Sequence, residues 1–261
     1  MQIHANHLAL SAGRGPVYGP LTFSLDSGLN VLRGDAGTGR TSLLLTLAGR
    51  MKHDAGTLTV GGEELPRNLR AVQKISAVAG FTGIDGLEES VTVGAALRER
   101  RAWLSPWWSL VRKLTDADVA RIAAPVFGPE AIPAATTVIW DLTDTQKMLL
   151  RISLAMMAKP EFLFVDDVEQ IRGTESRAII WDRLAWLAAG KTTVVVSASS
   201  LDVGLWEALD IQPHIVDLND QEPPAEIEPV AHAFTDTDTN TDTDTPSETA
   251  TEQHELIEEI I

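Results

Sequence analysis

Residues 29–48 read LNVLRGDAGTGRTSLLLTLA, and this stretch restricts the possible folds of the chain more than any other. An apolar run (Val31, Leu32) enters three closely spaced glycines, Gly34, Gly37 and Gly39, and leaves into leucines at helical spacing. The order is strand, glycine turn, helix. The spacing follows the pattern G-x-x-x-x-G-K-[ST], with Gly34, Gly39, Arg40 and Thr41 at the defining positions and arginine in place of lysine. Glycines let successive backbone N–H groups close around a phosphate, and the helix behind them points its positive end at the same anion. The predicted cradle is Gly34, Asp35, Ala36, Gly37, Thr38, Gly39, Arg40, Thr41 and Ser42. In it Arg40 supplies charge to the outer phosphates, and the Thr41 hydroxyl is placed to sit on Mg²⁺.

Strands and helices alternate around this loop. Residues 3–10 and 21–25 read as strands, with Gly13, Gly15, Pro16, Gly19 and Pro20 as punctuation between them. Thr57–Val60 and Ile75–Ala79 are further short strands, the first ending in a Gly61-Gly62 turn. From about Ser90 to Pro133 the pattern is helical and irregular. Thr92 is a predicted N-cap, and a helix over DADVARIAAPVF is expected to stop at Pro125. Asp144–Ala158 and Glu175–Ala189 are stronger helices, while FLFVDD (162–167), TTVVVSAS (192–199) and HIVDL (214–218) read as buried strands. Apolar strands alternating with helices imply a largely parallel sheet and an α/β class. FLFVDD ends in two carboxylates. Beside a phosphate loop, Asp166 is placed to hold Mg²⁺ and Asp167 to polarise an attacking water. Two solvated acids at a strand end are the plainer alternative.

The net charge of −16 is unevenly spread. Residues 222–261 carry twelve acids and no lysine or arginine; the rest of the chain has 25 acids against 21 bases. Neither part offers the basic face that nucleic acid requires, so no nucleic-acid partner is expected. The chain has no cysteine, which fits a reducing compartment, and no run of 18 apolar residues long enough to span a membrane. The six histidines are scattered without metal-ligand spacing. TDTDTNTDTDTPSETATEQ has almost nothing to bury, and residues 221–261 are predicted to be a disordered acidic tail, either solubilising or regulatory.

Residues 141–167, DLTDTQKMLLRISLAMMAKPEFLFVDD, resemble the signature segment of ABC transporter ATPases: an LSGGQ-like loop (Leu142 to Gln146), a helix, Pro160, then the strand with its acid pair. GTLTVGGEEL is similar to the antiparallel strand pair that follows the phosphate-loop helix in that family. The resemblance covers about residues 3–218. It implies a P-loop core of the ABC-ATPase type with an antiparallel β piece and an inserted helical subdomain (about 80–158) within a nucleotide-binding domain of residues 1–220. It also implies ATP and Mg²⁺ as cofactors, with Thr41 and Asp166 on the metal and Asp167 as the catalytic base. By the same resemblance, Thr143 would donate its hydroxyl to the γ-phosphate held by a second cassette, in a homodimer or heterodimer. The implied partner is a transmembrane permease, with the chain in the cytoplasm on the inner face of the membrane. Nucleotide sensing or scaffolding beside an active cassette, and a soluble P-loop regulator, are the alternatives.

The departures from the family pattern imply slow hydrolysis. Asp144 and Thr145 replace the two signature glycines, Gly80 stands where the Q-loop glutamine is expected, and Ser199 stands where the switch histidine is expected. Asp167 is one methylene shorter than the usual glutamate, Tyr18 is displaced from the adenine-stacking position, and the D-loop aspartate is absent. Trp107 and Trp108 are expected either at the permease or membrane surface or packed inside the helical subdomain. Trp140, Trp181 and Trp186 are expected in the core.

Overall fold

A computed structural model describes residues 2–220 with the exception of residue 14; the predicted acidic tail lies outside the described residues. The strands are β1 (Ile3–Ala12), β2 (Gly15–Leu25), β3 (Leu29–Arg33), β4 (Ala55–Val60), β5 (Glu63–Leu65), β6 (Ser76–Ala79), β7 (Phe162–Val165), β8 (Thr193–Ala198) and β9 (His214–Asp217). The helices are α1 (Arg40–Leu47), α2 (Leu69–Ile75), α3 (Val93–Leu104), α4 (Asp116–Phe127), α5 (Asp144–Met156), α6 (Thr174–Ala188) and α7 (Val203–Ala208). They build two sheets. One is antiparallel in the order β2-β1-β4-β5, and the other is parallel in the order β6-β7-β8-β3-β9.

Every residue of β7 (FLFV) and β8 (TVVVSA) is buried, as both faces of the parallel sheet are covered. Alternation sorts their side chains. Leu32, Phe162, Phe164 and Val195 join a cluster that contains α1 and the antiparallel sheet. Val31, Leu163, Val165, Val194 and Val196 join the opposite cluster with α5, α6 and Trp206 of α7. Helix α1 is thereby clamped between two sheets through Leu43, Leu44, Leu45 and Leu47, each worth roughly 2 kcal/mol of burial. A third cluster gathers Val93 and Leu97 of α3, Val119 of α4 and Leu150 of α5.

Two sequence expectations fail. The glycines and prolines of residues 15–20 do not separate two strands; β2 runs straight through them. It is an edge strand, where the missing proline N–H is tolerated, and register shifts on β1 absorb the irregularity. Gly19 has φ +90°, and a Cβ there would lie 2.2 Å from the Leu8 carbonyl oxygen. Helix α4 likewise continues past Pro125 to Phe127. Arg183 of α6 donates to the last-turn carbonyls of Val126 (2.9 Å) and Pro125 (3.3 Å), satisfying the end of the helix. The predicted Thr92 N-cap is present, its hydroxyl accepting from the Ala95 N–H.

Candidate functional site

The parallel register brings the carboxyl ends of β3, β8 and β7 to one edge, where open α/β sheets hold ligands. Gly34 leaves β3 with its N–H bonded to Ala198 at the end of β8, and Asp35 N–H is held by the Asn219 side chain. The chain then turns on Gly37 (φ +88°, open space around it) and Gly39 (φ +74°) into α1. Gly39 admits no side chain, because a Cβ would lie 2.2 Å from the Val17 carbonyl oxygen. The first α1 bond runs from Leu43 N–H to the Gly39 carbonyl. The N–H groups of Arg40, Thr41 and Ser42 therefore precede the intrahelical ladder and face the loop.

Thr41 and Asp166, 125 residues apart, meet here: the Thr41 hydroxyl donates to Asp166 Oδ2 at 2.7 Å. The other Asp166 oxygen accepts from Ser197 Oγ at 2.5 Å, and Ser197 Oγ in turn accepts from the Asp167 N–H at 3.0 Å. Asp167 follows in a left-handed conformation (φ +49°) that ends the strand sharply and turns the next residues back across the β8 end. Burial pushes its carboxyl above the ordinary range, reinforced by Glu169 and then Asp166, and the opposing pull of Arg40 does not cancel them.

Glu169 carries no motif signal, yet it is the most heavily engaged carboxylate at this edge. It accepts from the N–H groups of Ser199 and Ser200 and from the Ser200 hydroxyl. Burial pushes its carboxyl up, but those Ser199 and Ser200 donors outweigh burial and hold it below the usual glutamate range. Its Oε2 lies 3.9 Å from Arg40 Nη1. Arg40 Nη1 is itself buried and has no hydrogen-bond partner among the described residues. A buried guanidinium nitrogen without an acceptor, at the mouth of a glycine cradle, fits an anion. The Thr41 hydroxyl and the Asp166 carboxylate are hard oxygen donors of the kind Mg²⁺ takes.

Gln170 is the second residue that motif reasoning misses. Its amide donates to the carbonyls of Gly80 (3.1 Å), Asp166 (3.2 Å) and Asp167 (2.9 Å) and accepts from Arg151 of α5 at 3.3 Å. A glutamine amide thus reaches Gly80 from the β7 side. Arg151 also grips Asp85 through two nitrogens, at 3.0 and 2.7 Å. Thr143 is not brought to the loop. It caps α5 in a reciprocal box with Gln146, beside Asp144 and Thr145 in the first helical turn. Tyr18 is buried and donates to Thr46 at 2.8 Å, so its ring is part of the core beneath α1.

The tryptophans divide differently from expectation. Trp181 is buried, edge-on to Trp206 and bonded to Asp202. Trp140 and Trp186 are exposed rather than core. Ile139 takes the inward place beside Trp140, and Trp186 lies off the buried stripe of α6 under the Arg183 guanidinium. Trp107 and Trp108 are exposed, which removes the reading that packs them inside the helical region.

A family model described as ABC transporter matches residues 19–170. The Nod factor export ATP-binding protein I of Paraburkholderia xenovorans is 27% identical over 176 residues, covering 64% of this chain and 52% of that protein. The protein of the same name from Burkholderia orbicola is 28% identical over 196 residues, covering 74% and 57%. The chain therefore spans about half the length of the curated relatives it matches. Among solved structures, the ADP conformation of an ATP-binding cassette of an ABC transporter superposes with a TM-score of 0.64 at 16% identity, covering 84% of this chain and 87% of that one. With the family model spanning more than half of its residues and the same fold in its structural neighbours, the chain belongs to the ABC transporter family and is one of its ATP-binding cassettes.

Proposed function

We propose that this chain binds Mg·ATP between residues 34–42 and the β7 carboxylates, and that it hydrolyses ATP as one of two cassettes driving a separate membrane permease. The observation that carries this reading is the 2.7 Å contact between Thr41 and Asp166 at the mouth of the glycine loop. Backbone N–H groups from Gly34 to Ser42 cradle the phosphates, and Arg40 Nη1 takes a phosphate oxygen as its missing acceptor. Thr41 and Asp166 would hold Mg²⁺, which supplies charge neutralisation when bound. Asp167, raised in basicity by its surroundings, orients and deprotonates the attacking water. Thr143, at the free start of α5, serves the nucleotide of a second cassette.

The permease reading rests on a cavity of about 540 Å³ lined by Ile84, Asp85, Arg100, Trp103, Arg151 and Leu154. No helix among the described residues is long and apolar enough to cross a membrane. The relatives are named for export, and export is the direction proposed here. ATP is a cytoplasmic nucleotide, which supports a location on the inner face of the membrane. Residues 1–220 form the proposed nucleotide-binding domain.

Calorimetry with ATP and magnesium tests the core of the proposal. Binding is expected in the full chain and is expected to weaken at least tenfold in Asp166→Asn; no heat of association in the full chain overturns the reading. A catalytically weak cassette beside an active partner is the second reading. It is favoured by the charged Asp144 at the start of α5 and by Ser199, whose N–H is already bound to Glu169. Single-turnover hydrolysis by the isolated chain separates the two.

A further inference from the structure

Residues 103–113 carry a dense exposed apolar cluster. Trp103 is 78% exposed, Trp107 92%, Trp108 73% and Leu110 86%. The Ser109 N–H bonds to the Pro106 carbonyl at 2.8 Å, which closes a tight turn with Trp107 and Trp108 at its two corners. The two indoles stand edge-to-face, 5.7 Å between centroids. The tip is braced from behind, since Arg98 of α3 donates to the Val111 carbonyl at 3.0 Å. The result is an exposed, indole-tipped wedge tied back to α3.

Charge around the wedge runs opposite to that of the chain. Residues 98–113 hold five cations (Arg98, Arg100, Arg101, Arg112, Lys113) and one acid, Glu99, in a protein of net charge −16. Among the described residues no salt bridge engages Arg98, Arg101, Arg112 or Lys113. The nearest acids along the chain, Asp116 and Asp118, begin α4, where Asp118 pairs with Arg121 and Asp116 accepts from the Ala135 N–H. Screening over about 8 Å at physiological salt keeps distant acids from cancelling the local field.

We propose that this wedge inserts directly into the headgroup region of an anionic phospholipid bilayer, with the two indoles at the acyl boundary and the cations against the lipid phosphates. Tryptophan favours that boundary because its ring is apolar and its N–H is polar. Indoles this exposed, beside cations unpaired among the described residues, match an interface that offers apolar chains and phosphates without a shaped pocket. Trp103 belongs to both the wedge and the cavity assigned above to a permease, so the two features face the same side. The lipid contact requires neither a permease nor nucleotide, so its failure leaves the nucleotide site untouched.

The test is co-flotation of the full chain with vesicles of phosphatidylglycerol and phosphatidylcholine, against vesicles of phosphatidylcholine alone. Flotation is expected with the anionic vesicles, with quenching of tryptophan emission by brominated lipid. At about fivefold in partitioning per cation, Arg112→Ala with Lys113→Ala is expected to lower binding about 25-fold. Trp107→Ala with Trp108→Ala is expected to reduce both flotation and quenching, and Trp186→Ala is expected to retain both. The changed side chains are exposed, so unchanged circular dichroism is expected, and quenching in the unaltered chain stands even where a variant misfolds. Absence of flotation with anionic vesicles, or flotation indifferent to both double variants, overturns the proposal.

Discussion

The start of α1 and the start of α5 are both helix N-termini at sequence motifs, and they differ in how much of their surroundings one chain provides. At α1 the glycine loop, the β7 carboxylates and the β8 serines converge, so Thr41 finds Asp166, and Arg40 stands next to Glu169. At α5 the capping box satisfies Thr143 and Gln146 with each other, and Asp144 and Thr145 fill the first turn with side chains. In the reading proposed above, the first terminus is an anion seat completed within one chain. The second is a finished helix cap, with Thr143 exposed beside it.

The largest effect that sharpens this contrast is expected from Gly39→Val. Its φ of +74° and the 2.2 Å approach to the Val17 carbonyl leave no room for Cβ. A loss of more than about 2 kcal/mol of stability is expected, read by urea unfolding, with ATP binding abolished. A folded Gly39→Val chain that binds ATP normally would break the comparison. Asp167→Asn comes next: hydrolysis is expected to fall about a hundredfold or more in single turnover while ATP affinity is retained. Glu169→Gln is expected to loosen the Ser199–Ser200 turn and to weaken ATP affinity about tenfold, a charge-assisted bond being worth about 1.5–3 kcal/mol. Thr143→Ala is expected to cost about 1 kcal/mol through the lost cap and to leave ATP binding by the single chain unchanged. If that substitution alone removed ATP binding, the two termini would not be separate in the way described.

The smallest effect lies beneath α1. Burial pushes the Tyr18 hydroxyl up to about 12 from its ordinary 10.0. The folded state holds that proton more tightly than the unfolded chain does. Its contribution to stability is thus complete below pH 10 and is lost as pH rises towards 12. Tyr18→Phe is expected to flatten that part of the stability profile, measured by thermal unfolding across the alkaline range.

Much of this site can be read without coordinates. Gly34 to Thr41 and the acids after FLFV announce themselves because phosphate loops need glycine at fixed offsets and because a fully apolar run ending in charge marks the exit from a parallel strand. Glu169 gives no such signal. Its importance comes from where the left-handed Asp167 sends the chain and from the backbone N–H groups of Ser199 and Ser200, which have no side-chain signature. Gln170 is hidden likewise, since three of its four partners are backbone carbonyls and the fourth is 19 residues away. Residue type misleads for Trp140 and Trp186, because an indole is equally at home under an arginine or over a core, and only the neighbouring positions decide. The prolines of β2 mislead because strand position, edge or centre, is a property of the sheet.

The four leucines of α1 bear on what happens when a ligand arrives. A rod gripped by β layers above and below has no path along which to slide or tilt without tearing apolar surface from both. On the proposed reading the phosphate loop is thus anchored through α1, and the residues opposite it are fixed as well, Glu169 by the Ser199 and Ser200 donors and Gln170 by its bonds to Gly80, Asp166, Asp167 and Arg151.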